Sequence, residues 1–177
     1  MIKSYRLPAP WGSLRFVEQD GEFDRLIPEL EPVQSPDSAP EEMCRWMDLA
    51  GSLLEHPHVL SSVDRRHLFS LNRMRSLSAF ARSVLREVSF LEPGEILSYA
   101  QIAERIGEPA AARSVGRALA ANPFPILIAC HRVAPARAID AMSVLRPETL
   151  MPEAYLGDKA KKGIGAWLRI HDLSDLP

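Results

Sequence analysis

Cysteine is scarce in this chain, which has only Cys44 and Cys130 among 177 residues. Two thiols are too few for a framework of several disulfides, and too few for a zinc site built from four thiolates. A single Cys44–Cys130 disulfide is the one pairing the composition allows. If both thiols are reduced, a reducing compartment is the simplest setting, so we expect a cytoplasmic protein.

Long apolar runs are also missing, although 46% of the residues are hydrophobic. No stretch approaches the roughly 20 consecutive apolar residues that a membrane-spanning helix needs. Residues 1–8 do not contain the apolar core of a signal peptide. We therefore expect no secretion leader and no association with a membrane.

The five histidines do not form a clear metal-binding pattern. His56, His58 and His67 lie in one part of the sequence, but their spacing is loose and no cysteine accompanies them. Structural zinc sites draw on thiolates and imidazoles at short, regular spacings. We predict no metal site.

The net charge of −2 hides an uneven distribution. Residues 1–64 contain 5 Lys/Arg and 12 Asp/Glu, a net charge of −7, and residues 138–177 contain 5 and 6, a net charge of −1. Residues 65–137 contain 11 arginines, no lysine and 5 acids, a net charge of +6. An arginine-only basic segment indicates a surface for a polyanion. The alternative is a solvated face whose acidic partners come from elsewhere.

Residues 1–75 are predicted to form a small N-terminal α/β domain. Asp20-Gly21 separates two apolar stretches and is typical of a hairpin turn. A proline-rich loop follows over 31–40, and apolar residues at helical spacing predict a helix over 41–55. The pattern over 56–72 is ambiguous.

Helical patterns dominate after residue 76, so residues 76–177 are predicted to form a second domain, mainly helical. Ser76 or Ser78 is a candidate N-cap for a helix that runs through Phe90. A further helix begins at Ser98, which forms a Ser-x-x-Gln capping box with Gln101.

The helix that starts at Ser98 is followed by a turn containing Gly107 and by another helix from about Ala110 to Ala121. Arg113 and Arg117 share one face of that last helix because they lie four residues apart. Two short helices joined by such a turn predict a DNA-binding helix-turn-helix. An ordinary helical hairpin with a basic surface is the alternative.

A short apolar, β-prone run, Ile126–Ile128, leads to Cys130 and His131. A thiol next to a proton acceptor is a candidate nucleophile, because only the thiolate attacks. A cysteine of this kind can also be an inert buried side chain. The basic helix pair directly before it favours the functional interpretation.

Several motifs occur together in an order that resembles the C-terminal domain of the O⁶-alkylguanine-DNA alkyltransferases. They are Pro93-Gly94-Glu95, Ser98-Tyr99-x-x-Ile102-Ala103, Ala112-Arg113-Ser114-Val115-Gly116-x-Ala118, Asn122-Pro123 and Cys130-His131-Arg132-Val133. Pro10-Trp11-Gly12-Ser13-Leu14 is similar to the start of that family's N-terminal domain. The resemblance implies an α/β (α+β) fold with a small β-containing N-terminal domain and a helical, winged-helix-like DNA-binding domain.

The resemblance also implies a reaction. Cys130 would take the alkyl group from guanine O⁶, without a cofactor and once per molecule, and His131 would accept the thiol proton through a water. Asp172 would stand where the family has a glutamate that orients the histidine. Asn122 would brace the turn under the active-site segment, and Arg132 would be a structural ion-pair partner.

DNA recognition is implied for the helix pair, which the family places in the minor groove. Arg113 would enter the base stack after the alkylated guanine flips out. Tyr99 would crowd the target phosphate and bind the flipped base. The implied DNA-binding and pocket residues are Ala112, Arg113, Ser114, Arg117 and Tyr99, with Val133 and Tyr155 in the pocket.

Three departures from the family pattern stand out. Ala129 replaces the usual proline before the cysteine, and residues 134–152 contain no glycine. Asp172 is one methylene shorter than glutamate, so Glu148 or Glu153 is an alternative partner for the histidine.

The leading prediction is a monomeric repair protein, associated with the nucleoid or nucleus, that acts on alkylated guanine in double-stranded DNA. One alternative is a relative that binds the lesion with little or no transfer. Another is a Cys-His thiol enzyme unrelated to DNA.

Overall fold

The computed structural model describes residues 1–34, 36–137, 139, 168 and 172. Five strands, six α-helices and two short 3₁₀ turns have defined bounds there, and residues 136, 137, 139, 168 and 172 are helical as well. The strands are β1 (Ile2–Ala9), β2 (Gly12–Gln19), β3 (Glu22–Glu29), β4 (Leu97–Ser98) and β5 (Val133–Ala134). The helices are α1 (Glu41–Glu55), α2 (Ser62–Ser70), α3 (Asn72–Arg75), α4 (Ala79–Val88), α5 (Tyr99–Arg105) and α6 (Ala112–Ala120).

The N-terminal sheet is antiparallel, with the strand order β1-β2-β3. Asp20 and Gly21 join β2 to β3 with φ angles of 53° and 86°, which confirms the predicted hairpin turn. Gly12 begins β2, where a Cβ would lie 2.5 Å from the Glu29 carbonyl oxygen, so only glycine fits. The sequence predicted a small β unit here, but it gave no signal for a strand before Trp11, where β1 lies.

Helices α1 and α3 contact this sheet, and α2 packs on α3. Helix α1 occupies the residues predicted for it and buries Trp46 completely. The ambiguous stretch contains the whole of α2, which Ser61 caps by accepting a hydrogen bond from the Asp64 N–H. Helix α3 follows after Leu71, and the buried Met74 anchors it.

The second half of the chain packs α4, α5 and α6 together. Ser78, and not Ser76, caps α4, because its side chain accepts a hydrogen bond from the Ala81 N–H. The Ser98–Gln101 capping box is present at α5 as predicted. The third predicted helix is split: its start is a 3₁₀ turn, Pro109–Ala111, and α6 begins at Ala112.

The apolar run before the cysteine is buried, but it does not form a strand. Only one isolated bridge, between Pro125 and Ile128, is present there. Ile126 has a φ of 77°, a conformation that a β-branched residue rarely adopts. The prediction of a β-prone run is therefore wrong for this segment, which turns sharply instead.

One hydrophobic cluster extends through both halves of the chain. Phe23 of β3 packs on Phe124, with 4.8 Å between the ring centroids. The domain boundary predicted at residues 75/76 stays a prediction. Among the described residues, none of the helices has the length and apolar character needed to cross a membrane.

Candidate active site

Cys130 begins a 3₁₀ turn, Cys130–Arg132, at the edge of a cleft of about 990 Å³. Its backbone N–H donates to the Ile128 carbonyl oxygen at 2.7 Å, and its side chain is half-buried. His131, Tyr99 and Val133 line the same cleft. The structure thus brings the predicted nucleophile, proton acceptor and two pocket residues to one place. Neither cysteine is in a disulfide.

His131 and Arg132 both bind Asp172. The His131 Nε2 lies 3.3 Å from Asp172 Oδ2, and the side chains are only 6% and 4% exposed. Arg132 donates from Nε to Oδ2 at 2.6 Å and from Nη2 to Oδ1 at 3.1 Å. Arg132 also donates from Nη1 to the Leu91 carbonyl oxygen at 2.7 Å. This bond links the three side chains to the segment that follows α4.

The charge of Asp172 is set by two opposing effects. Burial by itself raises the pKa of this carboxyl group, because it penalises the ionised form. Hydrogen bonds from His131 and Arg132, and their positive charge, outweigh burial and hold the pKa of Asp172 below its usual value of 3.8. An ionised carboxylate at this position can fix the orientation of the His131 ring and stabilise its protonated form.

Asn122 ties the segment before the cysteine into a compact turn. Its Nδ2 donates to the Ile128 carbonyl oxygen at 3.1 Å, and its Oδ1 accepts from the Phe124 N–H at 3.0 Å. These two bonds hold the chain on both sides of Ile126, whose positive φ they help to maintain. The bracing role implied for Asn122 stays a prediction, which these two hydrogen bonds support.

A short parallel pairing places Tyr99 beside the active-site turn. Leu97 pairs with Val133 and Ser98 pairs with Ala134. Because Tyr99 is the first residue of α5 and follows Ser98 directly, this pairing holds its side chain at the cleft.

Helix α6 forms part of the cleft wall, and its arginines lie outside the cleft. Gly116, Leu119 and Ala120 face the cleft, whereas Arg113 and Arg117 are exposed to solvent. Ala112 and Ser114 are partly exposed, and Ser114 Oγ accepts a hydrogen bond from Arg117 Nη2 at 3.1 Å. Helix α6 thus presents a basic face to solvent and a second face to the cleft that contains Cys130.

Among the cleft residues that were not predicted from the sequence, two are charged: Arg25 on β3 and Arg73 on α3. No local motif marks either residue, since both reach the cleft through the packing of the N-terminal sheet on the second half.

Three predicted residues, Tyr155, Glu148 and Glu153, lie outside the described residues. Within the described part of the chain, no three His, Cys, Asp or Glu side chains are grouped as metal ligands.

Comparison with known proteins finds relatives for one segment of the chain. Residues 79–140 match the family described as 6-O-methylguanine DNA methyltransferase, DNA binding domain. Methylated-DNA–protein-cysteine methyltransferase of Saccharomyces cerevisiae is 48% identical over 54 residues, which are 30% of this chain and 29% of that protein. The human protein of the same name is 50% identical over 56 residues, 31% of this chain and 27% of that protein. The matches thus span less than a third of these relatives.

Solved structures share the fold over a longer stretch. A crystal structure of Mycobacterium tuberculosis O⁶-methylguanine methyltransferase superposes with a TM-score of 0.65 at 21% identity, over 100% of this chain and 96% of that one. A structure of Mycobacterium tuberculosis OGT in complex with DNA gives a TM-score of 0.53 at 24% identity, over 75% and 79%.

The α+β fold class predicted from the sequence is confirmed by these structures, while the helix-turn-helix assignment stays a prediction. The resemblance drawn from the sequence is confirmed as well, because residues 79–140 match the model of the DNA-binding domain of the 6-O-methylguanine DNA methyltransferase family.

Proposed function

We propose that this protein repairs double-stranded DNA by transferring the alkyl group of an O⁶-alkylguanine to Cys130. The observation that carries the proposal is the position of Cys130 in the cleft beside Tyr99, followed by a histidine that contacts a buried carboxylate. Cys130, Tyr99 and His131 lie within the segment that matches the family's DNA-binding domain.

The reaction is a displacement at the alkyl carbon. The thiolate of Cys130 forms a new sulfur–carbon bond while the bond between that carbon and guanine O⁶ breaks. The proton that leaves the thiol passes to His131 and then to the departing guanine. The product is a thioether, which has no easy leaving group, so each molecule reacts once and needs no cofactor.

His131 and Asp172 prepare the thiol for attack. An imidazole accepts the thiol proton more readily when a carboxylate stabilises the imidazolium that forms. Asp172 is one methylene shorter than the glutamate of the family, and the two hydrogen bonds from Arg132 hold it within 3.3 Å of His131. Arg132 therefore has a structural role in this proposal.

The target base must leave the duplex, because its O⁶ atom is otherwise out of reach of Cys130. Arg113 on the exposed face of α6 is placed to fill the space left in the stack, and Arg117 and Ser114 lie on the same helix. The small side chain of Ala112 at its start lets the backbone approach the DNA closely. Tyr99 and Val133 then meet the flipped base in the cleft.

The partner in this proposal is duplex DNA that contains alkylated guanine, bound by a monomer in the cytoplasm, at the nucleoid or in the nucleus. A reduced Cys130 is required, which agrees with two cysteines outside any disulfide.

Incubation with duplex DNA that carries radiolabelled O⁶-methylguanine tests the proposal. The expected result is one label per protein molecule, lost in Cys130→Ala and retained in Cys44→Ala, which is the matched control. Lesion-selective binding without label on the protein would instead support a recognition protein that does not transfer. Label that survives Cys130→Ala would refute Cys130 as the acceptor.

A further inference from the structure

Part of the cleft wall is built by the first 75 residues and has no role in the transfer reaction. Arg25 on β3 and Arg73 on α3 line the cleft together with Cys130 and Tyr99. Both arginines lie outside the segment that matches the DNA-binding domain, which begins at residue 79.

Hydrogen bonds fix this wall in place. The Leu26 N–H donates to the Pro123 carbonyl oxygen at 2.8 Å, which joins β3 to the turn under the active site. The Asn72 N–H lies 3.2 Å from both carboxylate oxygens of Glu22, which joins the start of α3 to β3. The strand with Arg25 and the helix with Arg73 are thereby held next to each other.

The two arginines differ in how their guanidinium groups are satisfied. Arg25 Nε donates to the carboxylate of Asp24 at 2.6 Å. Arg73 Nε is shielded from solvent and has no hydrogen-bond partner among the described residues. Because the Arg73 Nε is held by no acceptor among the described residues and the side chain as a whole is only partly buried, the guanidinium is available to a ligand in the cleft that supplies an acceptor.

A phosphate group suits this position chemically. The planar guanidinium presents a fork of N–H donors that matches the oxygens of a phosphate. A flipped nucleotide enters the cleft with its base toward Cys130. Its phosphates therefore stay at the rim of the cleft. Residues 1–64 carry a net charge of −7, with 5 Lys/Arg against 12 Asp/Glu. Positively charged side chains at the cleft are therefore needed to offset the repulsion between this part of the chain and DNA.

We propose that Arg73, assisted by Arg25, binds a phosphate of the DNA strand that carries the flipped nucleotide. The N-terminal part of the chain would then take part directly in substrate binding. This inference rests on the proposed function, because that function supplies the DNA strand in the cleft.

Salt dependence of binding is the first test. Affinity for a duplex with one O⁶-methylguanine is measured between low and high NaCl, in the full chain carrying Cys130→Ala so that no transfer occurs. We expect Arg73→Gln to weaken binding about tenfold and to make the slope of log K against log [NaCl] shallower by about 0.9, the value for one lost phosphate contact. Arg75→Gln is the matched control, because Arg75 is exposed on the same helix and does not line the cleft.

Arg73→Lys tests whether the contact needs only a positive charge or also the planar arrangement of N–H donors in a guanidinium group. The lysine variant keeps the positive charge, so we expect the wild-type slope with an affinity between those of wild type and Arg73→Gln. An unchanged slope in Arg73→Gln, or an equal change in Arg75→Gln, would overturn the proposal.

A second measurement identifies the phosphate and does not depend on the fold of the glutamine variant. Single phosphates around the lesion are replaced by uncharged methylphosphonates, and binding by wild-type Arg73 and by Arg73→Lys is compared. At one position beside the lesion, the loss of affinity should be clearly larger for the arginine protein. Equal losses at every position would overturn the contact. Failure of the label test on Cys130 would refute alkyl transfer while leaving these binding results to decide the phosphate contact separately.

Discussion

Asp172 accepts hydrogen bonds from both residues that follow the nucleophile, so its charge affects reactivity and stability together. Asp172→Asn keeps the shape of the side chain but removes the charge that stabilises the His131 imidazolium. We expect the rate constant for alkyl transfer to fall about 100-fold, at the low end of what general acid–base catalysis contributes, because His131 remains but is a weaker base without the carboxylate. Asp172→Glu keeps the carboxylate and serves as the control. A wild-type rate in Asp172→Asn would show that the imidazolium does not need this carboxylate.

The pH dependence of stability gives a separate prediction for the same residue. The pKa of Asp172 is lowered in the folded state, so its contribution to stability is complete above its unfolded pKa, near 3.8, and declines as the pH falls below that value. Urea unfolding should show that Asp172→Asn costs about 3 kcal/mol at pH 7, because Arg132 loses its buried partner. The cost should shrink by pH 3, whereas Asp48→Asn, at an exposed site, should show little cost at either pH. A cost that is the same at pH 7 and pH 3 would contradict the assignment.

Single residues of the site could be predicted where the chemistry is local. Cys130 and His131 are neighbours in the sequence, and their proximity needs no fold. Arg73 and Arg25 could not be predicted, because their position at the cleft depends on the packing of β3 and α3 against a turn about 50 to 100 residues later. The partnership of Asp172 with Arg132 also spans 40 positions and was not predicted, because the resemblance pointed only to Asp172 as the residue that orients His131.

At the scale of elements, the start of α5 links a cap to the position of Tyr99. Ser98 caps the helix with its hydroxyl and pairs with β5 through its backbone, so losing the hydroxyl removes only the cap. Ser98→Ala should lower the free energy of unfolding by about 1 kcal/mol. It should also slow alkyl transfer, because the first turn of α5, where Tyr99 lies, is held less firmly without the cap. Ser83→Ala, in the exposed middle of α4, should change neither quantity, and a transfer rate unaffected by Ser98→Ala would contradict this link.

The outer face of α6 carries a second prediction at this scale. Arg113→Ala should weaken repair of duplex DNA, because the space left by the flipped base is no longer filled. The loss toward a free alkylated guanine base should be smaller, since flipping is bypassed. Transfer rates on the two substrates, compared in one variant, measure the difference. Equal losses on both substrates would refute the stacking role of Arg113.

Elements with strong local signals were predicted correctly, and those shaped by packing were not. The cap at Ser98, the hairpin at Asp20-Gly21 and the periodic helix α1 all follow from short-range chemistry. The run Ile126–Ile128 has the residues of a strand, but the hydrogen bonds of Asn122 on either side force it into a turn. Tertiary contacts here override β propensity, which depends on context.

At the scale of the whole molecule, the cleft lies where the N-terminal sheet meets the helical half, so the site depends on their contact. Phe23 and Phe124 are buried against each other at this junction, and Leu26 is hydrogen-bonded to Pro123. The continuous hydrophobic cluster predicts that both halves unfold together. A sequence boundary near residue 75 would then mark a change of architecture within one cooperative unit.

Phe124→Ala tests this cooperativity. Removing a fully buried ring should lower the free energy of unfolding by about 3 to 5 kcal/mol. In a Trp167→Phe background, the remaining tryptophans, Trp11 and Trp46, report on the N-terminal half, and far-UV circular dichroism reports on all helices. Both signals should show one coincident transition in urea, shifted equally by Phe124→Ala. Phe90→Ala is the control, because Phe90 is 51% exposed and its loss should cost little. A fluorescence transition that stays in place while the circular dichroism transition shifts would mean that the two halves unfold independently, and that the cleft wall carrying Arg25 and Arg73 can separate from the nucleophile.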